Sequence, residues 1–257
     1  MKLNKTALAT MIFGSLLFGA TALAQEPTIE ELLDATDDIQ RGESSIGVIE
    51  MNVKTKRYER SMKMKSWAQG QEKTLIRILE PVKDAGMCTL KVDANIWNYL
   101  PKVDRTMKVP AGMMSGNWMG SHFSNDDLVK ENRLSEDFTY EMTQKPADNE
   151  DGVYIITLVP KPDAAVVWGK VVVKVTPDKM PKSIQYFDEG GADGTEGELM
   201  RTMTFEDIRD FDGRQVPALM RLIPENKPGE FTEVRYVELE FDVEMDDSTF
   251  TLQSLRQ

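Results

Sequence analysis

Histidine and cysteine are nearly missing: His122 and Cys88 stand alone in 257 residues. A single histidine excludes a metal centre built from several, and a single cysteine excludes an intramolecular disulfide. Cys88 lies in Met87-Cys88-Thr89-Leu90, which reads as a strand, so it is expected to be a buried small hydrophobe. Positive charge is also short, since 31 Lys and Arg face 43 Asp and Glu, for a formal net charge of −12. Such a balance argues against nucleic acid as a partner and against adsorption to anionic lipid, which favours polybasic segments. No G-x-S-x-G elbow, phosphate-cradling loop or dinucleotide fingerprint is present. The acidic loop from Asp188 to Gly197 lacks calcium-loop spacing and reads as a solvated hairpin tip. The expectation is a protein without enzymatic activity, cofactor or metal.

Long apolar runs are absent except at the start. Lys2 and Lys5 precede an apolar run from Ala7 to Ala20, followed by Ala22-Leu23-Ala24 and Gln25. This is the pattern of a cleaved Sec signal peptide over residues 1–24. The run is short for a membrane span, which needs about 20 apolar residues, and no stable membrane insertion is expected. Residues 25–257 contain no Pro-, Gly- or Ser-rich linker and no repeat, so they read as one domain, expected to act as a monomer in the periplasm of a Gram-negative cell.

What is present is mostly strand. One amphipathic helix is expected over Pro27–Arg41, with Ile29, Leu32, Leu33, Thr36 and Ile39 on one face and Gly42 as its stop. Runs with period-two alternation or continuous apolar character come next: 46–53, 58–67, 73–79, 87–92, 96–100, 138–143, 153–159, 166–175, 183–187, 199–205, 216–223 and 231–241. In the last, Phe231, Val237, Leu239 and Phe241 share one parity. Ser124 and Asp127 mark a helix start resembling a capping box. Ten to twelve antiparallel strands with few helices imply a mainly β protein, a strongly curved antiparallel sheet or barrel.

The stretch Pro81–Lys130 organises the rest. Between Met107 and Phe123 it gathers Met107, Met113, Met114, Trp118, Met119 and Phe123 among Gly and Ser, with little charge. Met is unbranched and polarizable, suited either to filling an irregular core or to lining a cavity for variable apolar ligands. Met62 and Met64 lie at inward strand positions and join Trp97 and Tyr99 as candidates for such a cavity. An exposed Met/Trp segment could instead dock a transporter or regulator.

Within this stretch Pro81, Gly86, Leu90, Trp97-x-Tyr99-Leu100-Pro101, Arg105, Met119-Gly120-Ser121-x-Phe123 and Asp127-Leu128 form a pattern. It resembles the signature region of LolA-like outer-membrane lipoprotein-sorting proteins. The resemblance implies a mainly β fold, a strongly curved, unclosed antiparallel β-barrel lidded by helices. It implies a periplasmic carrier whose apolar cavity holds the acyl chains of a lipoprotein or lipid and which shuttles them toward the outer membrane. It also implies an inner-membrane transporter of ABC or RND type as partner. An arginine latches the lid in the better-known carriers of this type. Arg60 and Arg77, each interrupting an apolar strand face, are the candidates here.

Overall fold

The computed structural model describes residues 26–130, 134–164, 166–191 and 195–256; the expected signal peptide lies outside them. Thirteen strands form one curved, unclosed antiparallel sheet. In chain order they are β1 (Ser44–Lys54), β2 (Glu59–Gln69), β3 (Lys73–Glu80), β4 (Cys88–Val92), β5 (Asn95–Leu100), β6 (Arg105–Lys108), β7 (Phe138–Gln144), β8 (Tyr154–Pro160), β9 (Lys170–Val175), β10 (Pro181–Phe187), β11 (Leu199–Phe211), β12 (Arg214–Pro224) and β13 (Phe231–Phe241). The sheet order is β6-β5-β4-β3-β2-β1-β13-β12-β11-β10-β9-β8-β7. The chain starts in the middle, meanders to one edge, crosses to the other and meanders back until β13 pairs with β1. The crossing segment, residues 109–137, therefore joins the two free edges.

Alternation sets the inner face. Along β1, Ser45, Gly47, Ile49, Met51 and Val53 point inward, and Ala68, Ser66, Met64, Met62 and Arg60 face them from β2. The main core collects inward residues from both halves of the sheet, among them Met51, Met64, Ile78, Ile156, Val173 and Leu222. Burying each such side chain contributes about 1.5–3 kcal/mol.

Two expectations shift. The short edge strand β6 lies where the sequence pattern implies only a turn and loop. In β13 a bulge opposite Val48 and Ile49 skips Val237, and a bulge exchanges the faces of the residues beyond it. Thr232, Val234 and Tyr236 therefore point inward with Leu239 and Phe241, while Val237 is 38% exposed.

The helix α1 (Ile29–Asp38) is shorter than expected. Thr28 caps it by accepting the Glu31 N–H, and Gly42, at φ +58°, donates to the Asp38 carbonyl at its end. Leu32 and Leu33 are fully buried in the main core. On the outer face, residues 247–256 form two short 3-10 turns whose Phe250 and Leu255 cover Leu75, Cys88 and Leu90. β3 is thus covered on both sides, as its apolar run implied.

Candidate functional site

The site lies between the inner face and two coverings, α1 and the crossing segment. In that segment Met119 (φ +52°) and Gly120 (φ +72°) reverse the chain sharply, so that Asn117 pairs with Ser124 and the Trp118 N–H reaches the Phe123 carbonyl at 2.7 Å. This tight loop aims Trp118 and Phe123 inward; both are buried. The Trp118 indole N–H donates to Thr89 Oγ1 at 3.1 Å on the far wall.

Besides that indole bond, four polar attachments hold this roof among the described residues. Tyr58 donates its hydroxyl to the Gly120 carbonyl. A side chain at position 120 would crowd that hydroxyl at 3.1 Å and would be strained at this φ. Arg60 donates to the Met119 carbonyl at 3.2 Å and pairs with Asp84 at 3.1 Å. The His122 side chain, 5% exposed, is clasped by β13 and the turn before it: its Nδ1 lies 2.8 Å from Thr232 Oγ1, its Nε2 3.1 Å from Glu230 Oε2, and its backbone N–H donates to Thr232 at 3.0 Å. The His122 ring holds the Glu230 carboxyl below its ordinary pKa.

The fourth attachment is a two-pronged ion pair. Arg201 on β11 donates to both oxygens of Asp127, at 2.8 and 2.7 Å. The guanidinium also stacks on Trp168 and Tyr186, 4.5 and 4.3 Å from their ring centres. Asp127 Oδ2 accepts the Ser124 N–H while Ser124 Oγ accepts the Asp127 N–H. The carboxylate therefore starts a helical turn and ties it to the sheet at once.

Beneath the roof is a cavity of about 170 Å³. Of the expected cavity residues, Met64, Trp118 and Phe123 line it. Met62 and Met119 pack in or against the main core beside it. Trp97 and Tyr99 face outward, packed with Leu90 and Cys88 under the C-terminal turns. Met107 is 38% and Met113 61% exposed, and Met114 is half-buried, all three outside the lining. Of the two latch candidates, Arg60 reaches the roof. Arg77 lies on the outer face, donating to Cys88 Sγ at 3.1 Å and to the Ser254 carbonyl at 2.6 Å. Sequence reading missed the apolar wall from the second half of the sheet, Ile184, Met203, Phe205, Met220 and Val234. Their alternation was legible as strand, but which concave face they shared was not.

The lining is not uniform. Thr36, Asp37, Gln40 and Arg41, at the end of α1, meet Ser45, Ser66, Thr74, Thr89 and Lys91. Burial pushes the Asp37 carboxyl up to about 8, against a hydrogen bond from the Leu134 backbone that favours the charged form. Among the described residues no group of three or more His, Cys, Asp or Glu is placed to hold a metal ion.

Residues 70–257 match a family model described as "Uncharacterized protein"-like. The chain belongs to that family. Solved structures show that the fold is LolA-like. A DUF1329 family protein from Desulfovibrio piger superposes with a TM-score of 0.73 at 20% identity, covering 87% of this chain and 96% of that one. A LolA superfamily protein from Nitrosomonas europaea gives 0.70 at 18% identity, over 89% and 99%. A putative outer membrane lipoprotein-sorting protein domain from Vibrio parahaemolyticus gives 0.70 at 20%, over 89% and 96%. A search of curated proteins returns no match. In the present chain the cavity falls between the open sheet and the two coverings.

Proposed function

We propose that this protein is a periplasmic carrier without enzymatic activity, binding acyl chains of a lipoprotein or lipid in the cavity and shuttling them toward the outer membrane. The observation that carries the reading is the cavity itself, a space apolar over most of its lining and roofed by a segment fastened through a few polar contacts. Hiding an acyl chain from water is worth about 0.8 kcal/mol per CH₂, so a chain of roughly fifteen carbons would cost on the order of 12 kcal/mol to cross bare. A roofed, mostly apolar cavity lowers that barrier without chemistry.

The size of the cavity adds a condition. At about 170 Å³ it matches the ~150 Å³ that accommodates a single benzene. A whole acyl chain therefore requires the roof to move, and the roof is held by hydrogen bonds and ion pairs rather than by continuation of the sheet. The pull toward release would come from a receiving site of higher affinity, since a ligand moves only down a difference in binding free energy. An inner-membrane transporter of ABC or RND type would supply the cargo, with the carrier acting as a monomer.

Native mass spectrometry of protein taken from the periplasm tests the reading. Co-purifying lipid supports it. A delipidated protein that binds no amphiphile at micromolar concentration overturns it. In that case a stable complex with an inner-membrane protein would point instead to a docking module using the exposed Met107 and Met113.

A further inference from the structure

The inner face of β1–β3 is banded. One row across the three strands is Ser45, Ala68 and Thr74, whereas the row two steps along, Ile49, Met64 and Ile78, is wholly apolar. One end of the cavity wall is therefore polar and the other greasy. In the polar row Ala68 is the short member. Ser45 and Thr74, two strand spacings or about 10 Å apart at the backbone, therefore stand on either side of a notch. Gln40, just past the end of α1, borders the same cavity.

Most polar groups at this end are engaged within the protein. Thr36 donates its hydroxyl to the Leu32 carbonyl at 2.9 Å, and Thr89 donates to Asn98 Oδ1 at 2.7 Å while accepting the Trp118 indole. The charged groups are engaged too: Lys91 donates to the Gln71 carbonyl, Arg41 to Thr74 Oγ1 at 3.3 Å, and Asp37 accepts the Leu134 N–H. Three uncharged groups keep unused capacity among the described residues. Ser45 is 5% exposed and its hydroxyl has no partner. Thr74 accepts from Arg41, but its own proton has no acceptor. Gln40 donates its amide N–H to the Pro217 carbonyl at 3.0 Å and leaves Oε1 open. A wall serving hydrocarbon alone would do better with alanine at 45, as at 68, because a buried hydroxyl without a partner loses its hydration for nothing. Two donors and an acceptor, none charged, match a head that both donates and accepts hydrogen bonds. Gln40 and Thr74 are half-buried, so such a head keeps access to water while its tail runs past Met64.

We propose that the cavity selects a single-chain lipid with an uncharged polyol head, a monoacylglycerol being the simplest, its hydroxyls bound by Ser45, Thr74 and Gln40 and its tail beneath Trp118. This rests on the carrier reading and adds the head-group class to it.

The test is calorimetric titration of the delipidated protein with 1-decanoylglycerol, methyl decanoate, decanoate and decyltrimethylammonium. The first two share the acyl chain and the ester and differ in the free hydroxyls. Methyl decanoate is the more apolar, so a slot for hydrocarbon alone would favour it. The expected result is that 1-decanoylglycerol binds about tenfold more tightly than methyl decanoate, the scale of one to two neutral hydrogen bonds, and more tightly than either ionic amphiphile. Ser45→Ala should cut that preference by about threefold or more. It should leave methyl decanoate binding and thermal stability unchanged, since the lost hydroxyl has no partner in the protein. Should Ser45→Ala fail to fold, the head-group series on the unsubstituted protein decides alone. Methyl decanoate binding as well as 1-decanoylglycerol, or an ionic amphiphile binding most tightly, overturns the inference while leaving the carrier reading intact. A preference unchanged in Ser45→Ala overturns its assignment to this notch. Failure of all four to bind overturns it too, and co-purifying lipid then judges the carrier reading separately.

Discussion

Asp127 and Arg201 meet edge to edge, with each side chain 9% exposed and 74 positions of chain separating them. One partner starts the helical turn at the end of the roof and the other lies on β11, so the pair fastens the crossing segment to the second half of the sheet. Removing one partner of a buried pair leaves an uncompensated charge and costs roughly 3–5 kcal/mol. Asp127→Asn and Arg201→Met should each destabilise by about that amount in urea unfolding. The double change Asp127→Leu/Arg201→Met should recover a substantial part, because no orphan charge remains. Hydrogen exchange should quicken at residues 117–128 more than in the sheet. Equal loosening everywhere would mean the pair supports the fold as a whole rather than the roof.

Asp37 yields a pH dependence of unusual sign. Its folded pKa of about 8 lies above the ordinary 3.8, so the folded state retains a proton that the unfolded chain releases. Stability then falls as pH rises from about 4 to 8 and levels off above, since slope follows the difference in bound protons. Asp37→Asn removes the titration. It should be close to neutral at pH 4 and more stable than the parent by on the order of 2 kcal/mol or more at pH 8, because a tenfold change in proton affinity corresponds to ~1.4 kcal/mol. Thermal unfolding of both proteins across this range measures it. Parallel curves would show that the carboxyl titrates normally.

These two sites also mark where sequence reading ran out. Period-two alternation and continuous apolar runs located twelve of the strands, because a sheet buried on one face or both writes that burial into the sequence directly. β6 escaped, being a four-residue edge strand with exposed, basic character. The β13 bulge escaped because one extra residue reverses parity without any local mark. Asp127 was legible as a helix starter, since that role is local. Its pairing with Arg201 was not, because ion pairs between distant elements leave no periodic trace. Arg60 was legible as a break in an apolar face, and the structure brings it to the roof. Lys91 shows the same break in β4, yet a lysine in a strand is ordinarily solvated and only the register against Thr74 places it in the wall.

On the outer face, Arg77 clamps Cys88 and the C-terminal turns together. Cys88 is 1% exposed and burial raises its thiol pKa, so the native protein should react negligibly with a thiol reagent. Truncation after Met245 removes Phe250 and Leu255, and with them the cover over Cys88. Labelling should then proceed at least tenfold faster in the truncated protein, with the sheet still folded by circular dichroism. Unchanged labelling would mean that β3 and β4 shield the sulfur without the tail.

The cavity predicts a contrast between two methionines. Met220 lies in the wall and is half-buried, whereas Met113 is 61% exposed and outside the lining. Met220→Trp adds volume to a space of about 170 Å³ from a position with room to adjust. It should reduce co-purifying lipid at least tenfold, and overpacking should cost no more than the ~1–3 kcal/mol typical of a small-to-large change. Met113→Asp should leave bound lipid and stability within error, since it puts a charge where the side chain already meets water. Fluorescent fatty-acid displacement and native mass spectrometry read both. If Met113→Asp empties the protein while Met220→Trp does not, acyl chains bind on the outer side of the roof and the enclosed space is only a packing defect.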